Sequence, residues 1–297
     1  MIELTKNFID NKKRVLAIGN FDGFHRGHQM LFSSLNSFKN CVKTILTFEN
    51  LDKSYHNTNK ILMTLKDKED IKEKYNIDEI LYIRFTNEFK NLTPEEFFEY
   101  YINNLNIDAI IVGNDFRFGK NLSGNVETIK KLFKKQVIVI NLLIDNTDQQ
   151  KISTTNIIKL IKDSNIKKAN YYLNREYAVN GKIIYGLQNG HRLGFPTANI
   201  KLSTEYVLPG NGVYATKIKF RDKTYLSMTN IGRHPTLDEL ESESIETNIF
   251  DFKEDIYDEK VELFFLDFIR PERKYSSKEE LIQQLTRDRE YIINNYN

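Results

Sequence analysis

Apolar positions along the chain follow two rhythms. Up to about residue 165, short and almost wholly apolar runs alternate with amphipathic stretches. The runs cover residues 14–19, 42–48, 79–85, 109–113 and 137–144. Between the first two, Met30, Leu31, Leu35 and Phe38 share one face of a helix expected from residue 28 to about 38. Thr93-Pro94-Glu95-Glu96 reads as a helix start, with Thr as cap, Pro in the first turn and Glu at the third position. Phe97, Phe98, Tyr101 and Leu105 then fall on one side. Apolar strands separated by helices predict an α/β domain with a parallel sheet covered on both faces. Ligands of such sheets sit at the carboxyl ends of the strands, where Gly19 and Gly113 lie.

After about residue 168, strand-length segments succeed one another without long helices. Residues 177–185 contain Asn180-Gly181, a two-residue hairpin signal. Segments 213–220 and 225–231 flank Arg221-Asp222, and segments 246–252 and 260–268 flank Tyr257-Asp258-Glu259. The expectation is an antiparallel β-barrel of about six strands. A final helix opens with Ser277-Lys278-Glu279-Glu280 and turns Ile282, Leu285 and Ile292 inward. The change of rhythm divides the chain into domains 1–167 and 168–297, in line with a prior of roughly 150 residues per domain. There is no internal repeat and no low-complexity linker.

Composition narrows the class. Charged residues make up 28% and the net charge is only +2, so any phosphate affinity is local and nucleic acid is not an expected partner. The start resembles no signal peptide, and no run approaches the roughly 20 apolar residues of a membrane span. One cysteine, Cys41, excludes an intramolecular disulfide, points to a reducing, cytoplasmic setting, and is expected to pack in the core. The pattern does not report the oligomeric state.

Candidate chemistry concentrates in four stretches and one separate carboxylate. The stretch Val15-Leu16-Ala17-Ile18-Gly19-Asn20-Phe21-Asp22-Gly23-Phe24-His25-Arg26-Gly27-His28 runs from apolar strand through a glycine turn into a helix. Backbone N–H groups and the helix dipole receive anions at such a mouth. Every α/β fold needs glycine turns, but two histidines framing Arg26-Gly27 are not explained by turn chemistry. A metal pair His25/His28 would lack a third ligand at suitable spacing. The turn after Gly113, Asn114-Asp115-Phe116-Arg117-Phe118-Gly119, offers a carboxylate, a guanidinium and two rings able to stack a planar ligand, or is an ordinary loop. Ser153-Thr154-Thr155 at a helix start are caps or phosphate contacts. Finally, Gly-Leu-Gln-Asn-Gly-His-Arg-Leu-Gly-Phe-Pro-Thr-Ala-Asn over residues 186–199 places Thr197 and Asn199 one residue apart. A hydroxyl and an amide carbonyl suit Mg²⁺ beside nucleotide phosphates, or an Asx-type turn. Glu246, a carboxylate in an apolar strand, is a candidate base or a solvated strand residue.

The stretch from Gly19 to His28 resembles the His-x-Gly-His signature of nucleotidylyltransferases. More narrowly, it resembles the N-terminal half of bacterial bifunctional riboflavin kinase/FAD synthetases. Pro196-Thr197-Ala198-Asn199 is similar to the motif of riboflavin kinases. Leu208-Pro209, Gly212-Val213-Tyr214-Ala215, Asn230-Ile231-Gly232 with Pro235-Thr236, Glu246-Thr247, Asp251-Phe252, and Arg270 with Glu272 follow in the family's order, so the resemblance covers nearly the whole chain.

The resemblance implies a Rossmann-like nucleotidylyltransferase domain followed by a riboflavin kinase barrel. ATP would phosphorylate riboflavin to FMN in the second domain. The first would transfer AMP from another ATP to FMN, giving FAD and pyrophosphate. Implied roles are catalytic for His25, His28 and Glu246. Gly19, Asn20, Phe21, Asp22, Gly23, Gly27, Ser153, Thr154, Thr155, Gly190, Arg192, Gly194, Thr197 and Asn199 would bind ATP or phosphate. Asn114, Asp115, Phe116 and Arg270 would bind flavin, and Thr197 and Asn199 would hold Mg²⁺. Three positions depart from the family. An arginine three residues after the hydroxyl run is Ile158, the Pro-His-Pro after the second strand is absent from Thr47-Phe48-Glu49-Asn50-Leu51, and a hairpin glycine is Asp258. The first two keep open a kinase with a weak or inactive adenylyltransferase. A non-catalytic flavin- or nucleotide-binding regulator is the third reading.

Overall fold

The computed structural model describes residues 1–49, 60–185, 194–234 and 242–296. Gly190, Arg192, Pro235, Thr236 and the Asn50-Leu51 part of the missing Pro-His-Pro lie outside them. The chain forms two compact units, Met1–Asn156 and Ile157–Asn297. The division falls ahead of the change in sequence rhythm.

In the N-terminal unit, the elements are β1 (Ile2–Glu3), β2 (Arg14–Ile18), α1 (Arg26–Leu35), β3 (Val42–Glu49), α2 (Leu65–Ile71), β4 (Glu79–Arg84), α3 (Asn87–Lys90), α4 (Pro94–Phe97), β5 (Ile107–Gly113), α5 (Val126–Leu132) and β6 (Gln136–Ile140). Six strands form one sheet in the order β1-β4-β3-β2-β5-β6, every pairing parallel. The order reverses beside β2, whose neighbours are β3 and β5, so the ends of β2 and β5 flank the switch point where ligands of such sheets enter. The core follows the predicted apolar runs. Leu16, Ile18, Leu46, Ile110 and Val112 pack with Phe97, Phe98 and Ile102. Thr93 caps α4 with the expected reciprocal box: its hydroxyl accepts from Glu96 N, and Glu96 accepts from Thr93 N.

Local expectations shift in three places. α1 begins earlier than residue 28 because His25 itself is its cap. The last predicted strand stops at Ile140. Cys41 is half-buried just before β3 rather than in the core, its Sγ 3.6 Å from Asp108 Oδ2. Burial, reinforced by that carboxylate, pushes the thiol pKa up.

The hydroxyl run leads into α6 (Thr154–Lys162), which crosses the division. The C-terminal unit continues with α7 (Ile166–Leu173), β7 (Tyr177–Ile184), β8 (Ala198–Leu202), β9 (Gly212–Phe220), β10 (Lys223–His234), β11 (Ser242–Ile249), β12 (Lys260–Arg270) and α8 (Lys278–Tyr296). β7 to β12 close an antiparallel barrel in the order β10-β11-β8-β7-β12-β9. Arg221 and Asp222 both take positive φ, 48° and 60°, and make the predicted tight turn between β9 and β10.

Asn180-Gly181 makes no turn. It lies inside β7, and Gly181 is there because a Cβ would meet Ile200 Cγ2 at 2.6 Å and Lys201 O at 2.7 Å on the adjoining β8. β11 and β12 are not neighbours. Residues 258–259 instead bond Ile183 at the end of β7. α8 covers one barrel face with Ile292, fully buried, and Leu285, whereas Ile282 stays 36% exposed. Its Ser277 cap forms, but the Glu280 carboxylate turns to Ser276.

Candidate functional sites

The glycine turn after β2 is held in an unusual backbone conformation. Phe21 (φ 51°), Gly23 (φ 90°) and Phe24 (φ 44°) are all left-handed within four residues. For the two phenylalanines this costs about 1–3 kcal/mol each. Burial of both rings, 1% and 0% exposed, over-determines the geometry. The turn is further pinned from three elements. Thr47 of β3 donates to Asn20 O at 2.7 Å, Lys68 of α2 donates to the same carbonyl at 2.8 Å, and Thr154 of α6 donates to Asp22 O at 2.9 Å.

The strain sets two imidazoles side by side. His25 Nδ1 accepts the backbone N–H of His28 at 3.3 Å, capping α1, and the two rings stack at 3.6 Å and 19°. The edge of Phe21 supports His28 at 5.2 Å. Gly27 is needed between them, because a Cβ there would meet the His25 ring at 3.1 Å and Ile152 O at 3.4 Å.

These groups open on a cavity of about 510 Å³. Of the residues proposed from sequence, Gly19, Asn20, Phe21, His25, Gly27, His28, Asp115, Phe116, Ser153, Thr154 and Thr155 line it. Its apolar wall, Phe48, Phe85, Phe89 and Phe97, was missed because these rings read as core. Asp22, Gly23 and Asn114 do not line it. The Asp22 carboxylate is buried and accepts the backbone N–H groups of Leu62 and Met63 at 2.9–3.2 Å, so it clamps the approach to α2 instead of facing phosphate. Asn114 points to Asn141. Ser153 accepts from Asn156 N at 3.4 Å and Thr154 serves Asp22, so two of the three hydroxyls brace the site, while Thr155 is exposed. Ile158 is 6% exposed and supplies no cation. Lys151 does line the cavity, paired at 2.5 Å with Asp115 Oδ2.

In the barrel, pairing builds the second constellation. Glu246 of β11 stands opposite Asn199 of β8 and opposite Asn230 of β10, one polar row across three strands. The Thr197 hydroxyl lies 3.5 Å from Glu246 Oε2, a long and weak contact. Two residues along the same face, Asn248 Nδ2 donates to Pro196 O at 2.7 Å and fixes the strand leading to Thr197. Thr247, on the opposite face, enters a buried hydroxyl chain with Thr229, Thr216 and Ser227 at 2.7–2.9 Å. Gly194 has φ 77° and open space about its Cβ position.

Arg270 is committed differently from the flavin contact expected. Its Nε donates to the buried Asp288 at 2.8 Å and ties β12 to α8. Beside it, Glu272 accepts from Asn230 Nδ2 at 2.9 Å, over Gly232, where a Cβ would leave only 2.7 Å.

Thr197, Asn199 and Glu246 give two neutral oxygens and one carboxylate. That set suits Mg²⁺ completed by waters and phosphate oxygens, and among the described residues no group of three or more His, Cys, Asp or Glu side chains is placed to hold a metal ion. No helix among the described residues is long and apolar enough to cross a membrane.

Comparison with known proteins divides the chain in the same order. A family model described as FAD synthetase matches residues 8–156, and one described as riboflavin kinase matches residues 173–295. A bifunctional riboflavin kinase/FMN adenylyltransferase from Buchnera aphidicola is 37% identical, over 94% of this chain and 92% of its own. One from Listeria monocytogenes is 33% identical, over 93% and 90%. A crystal structure described as a macrolide-efflux protein from Streptococcus pneumoniae is 30% identical, covers 100% of both chains and superposes with a TM-score of 0.90.

Proposed function

Because the chain belongs to the family of bifunctional riboflavin kinase/FMN adenylyltransferases, we propose that its two units carry the two reactions, each at the site described within it. In the barrel, the ribityl 5′-hydroxyl of riboflavin attacks the γ-phosphorus of ATP, forming FMN and releasing ADP. In the N-terminal unit, an FMN phosphate oxygen attacks the α-phosphorus of a second ATP, forming FAD and releasing pyrophosphate.

For phosphoryl transfer, Glu246 takes the proton of the attacking hydroxyl. Thr197 and Asn199 hold Mg²⁺ and phosphate oxygens, and the ion supplies charge neutralisation there. Gly190, Arg192 and Gly194 complete the phosphate loop in this reading. Adenylyl transfer needs no protein nucleophile. Charge builds on the α-phosphoryl oxygens, and donors placed where it develops give the largest help. His25 and His28 fill that role at the positive end of α1. Asp115 and Phe116 hold flavin at the other side of the cavity, and Lys151 stands where a phosphate-facing cation is wanted.

The observation that carries the adenylyl-transfer reading is the stacked histidine pair capping α1 at the mouth of a 510 Å³ cavity. Purified protein incubated with riboflavin, ATP and Mg²⁺, its flavins resolved by chromatography, tests both halves. FAD is expected. FMN alone would leave the N-terminal unit without its proposed activity, a reading kept alive by the apolar Ile158. Unchanged riboflavin would refute both. The half-buried single thiol fits a cytoplasmic location.

A further inference from the structure

Among the described residues of the N-terminal unit, Lys68 is a deeply buried cation outside the ion-pair networks. It is 3% exposed on α2, a helix whose other lysine, Lys66, lies at the surface in an ion pair. Its Nζ donates to two neutral acceptors, Asn20 O at 2.8 Å and Thr47 Oγ1 at 3.0 Å. Thr47 Oγ1 in turn donates to the same Asn20 carbonyl at 2.7 Å. Among the described residues, no carboxylate lies within ion-pair distance of Lys68. The charged groups that act on it are Asp22 from the glycine turn and Asp67 from its own helix, and neither bonds it.

Holding an ammonium in a dry interior on neutral partners is costly, and a methionine or leucine would fill the same volume without that cost. The charge sits directly behind Asn20, a residue of the cavity wall where the triphosphate is placed in the proposed reaction. We propose that Lys68 is a buried counter-charge and positioning residue for adenylyl transfer, holding Asn20 from behind and stabilising the polyphosphate in front of it. The inference rests on the N-terminal unit being the adenylyltransferase. Lys68 touches no substrate. It acts through the Asn20 carbonyl and through its field, which in a low-dielectric interior reaches further than in water.

The ionisation of Lys68 follows from its surroundings. Burial lowers its pKa to about 8, and Asp22 and Asp67 offset only part of that shift. Above that value the amine of the free protein is neutral. A bound polyanion favours the charged form, so its binding takes up a proton at alkaline pH. Pyrophosphate, released only by the adenylyl-transfer half, serves as the probe.

The test compares wild type with Lys68→Met, nearly isosteric but without charge or donor, and with Lys68→Gln, which keeps a donor but loses the charge. Calorimetric titration with magnesium pyrophosphate at pH 8.5, in buffers of different ionisation enthalpy, reads affinity and proton uptake. Wild type should take up a fraction of a proton beyond that of the ligand. Both variants should lose that uptake and bind roughly tenfold more weakly at pH 7. In steady state they should raise KM for ATP in FAD formation more than they lower kcat, and should flatten the alkaline limb near pH 8. Riboflavin phosphorylation should be unchanged, which reports that the chain is folded.

Variants that bind pyrophosphate like wild type with the same proton uptake would overturn the proposal. So would a Lys68→Gln variant that behaves as wild type while Lys68→Met fails, since the donor alone would then suffice. If wild type binds pyrophosphate but forms no FAD, the adenylyltransferase reading falls, and the binding comparison still decides whether Lys68 serves the anion.

Discussion

The ring of His25 lies flat on that of His28, 3.6 Å between centroids, while its Nδ1 receives the His28 backbone N–H. An Nδ1 that accepts leaves the proton of neutral His25 on Nε2, so the tautomer is set by the helix cap. His28→Ala should therefore reduce FAD formation by about 10²-fold or more, the scale of losing a transition-state donor. FMN formation should continue, as chromatography of the flavins would show. Loss of both products in a folded protein would refute separate sites.

Gly27→Ala tests the same geometry without removing a functional group. The added methyl would press on His25 at 3.1 Å and on Ile152 O at 3.4 Å. Backbone carbonyl and stacked ring have little freedom to move, so the pair should be displaced. A misplacement of about 1 Å costs on the order of 10²-fold in rate, so a shift of the few tenths of an ångström these contacts require should cost less than that. FAD formation should fall while the melting temperature changes by only a few degrees. Full activity would mean that the exact placement of His25 does not matter.

Glu246→Gln should lower FMN formation by about 10²–10⁴-fold, the range for removing a general base. FAD synthesis from supplied FMN should persist. The amide keeps the shape and hydrogen-bonding reach of the carboxylate beside Thr197 and Asn199, so a loss reports on proton transfer and charge. If kinase turnover survives, Glu246 is not the base, and its place between Asn199 and Asn230 is structural.

Much of this was legible because period and turn chemistry were clear. The parallel strands carry short apolar centres, residues 15–18 of β2 buried throughout, as burial on both faces requires, and Arg221-Asp222 turned as expected, with Asp222 the residue that accepts positive φ readily. Asn180-Gly181 misled because the same dipeptide that favours a turn also permits the close approach of β8, and only the partner strand decides between them. Lys68 was invisible because a lysine in a polar seven-residue helix carries no mark of burial. The carboxylate of Asp22 looked phosphate-facing from its place in the motif. Which amides it would meet depends on Leu62 and Met63, 40 positions along the chain. Arg270 was assigned to flavin for the same reason, and its partner Asp288 lies on a helix that pairing rules do not place.

The amino ends of β2 and β4 carry a buried ion network that sets acid stability. Arg14, fully buried, donates to Glu79 Oε2 at 2.8 Å and to Asp10 Oδ2 at 2.6 Å, and Lys12 reaches Glu79 at 3.1 Å. Burial alone would raise the Glu79 pKa, but the bonds from Arg14 and Lys12 outweigh it and hold the carboxyl below its ordinary value. Asp10 is lowered chiefly by its bond to Arg14. Depressed folded values mean stability fully present above the unfolded carboxylate pKa, about 4, and lost as pH falls through the folded values. Glu79→Gln should cost about 3 kcal/mol at neutral pH, since it strips one partner from a buried guanidinium. It should also flatten the fall in stability below pH 4. Urea unfolding across pH 3–7 checks both. An unchanged acid limb would assign that loss to other carboxylates.

The chain division at Asn156/Ile157 predicts where an active kinase fragment must begin. A cut at residue 170, just past the change in strand rhythm near residue 168, removes Ile166 and Ala169, both at most 1% exposed on α7, the helix packed on β7 and β12. It also removes Ser164, whose hydroxyl meets Tyr214 OH at 2.8 Å. Burial pushes the Tyr214 phenol up to about 12, a bond from Ser164 offsetting part of the shift. Losing one large buried aliphatic side chain costs about 2–5 kcal/mol, and the Tyr214 hydroxyl, which keeps its bond to Gly210 O, loses one net hydrogen bond worth about 1 kcal/mol. Together these approach the 5–15 kcal/mol that holds a domain folded. A fragment of residues 157–297 should therefore unfold cooperatively and convert riboflavin to FMN. A fragment of residues 170–297 should melt far lower or fail to fold. Equal melting temperatures would show that α7 is an appendage rather than part of the barrel's core. A folded but inactive 157–297 fragment would mean that the kinase site draws on residues before Ile157.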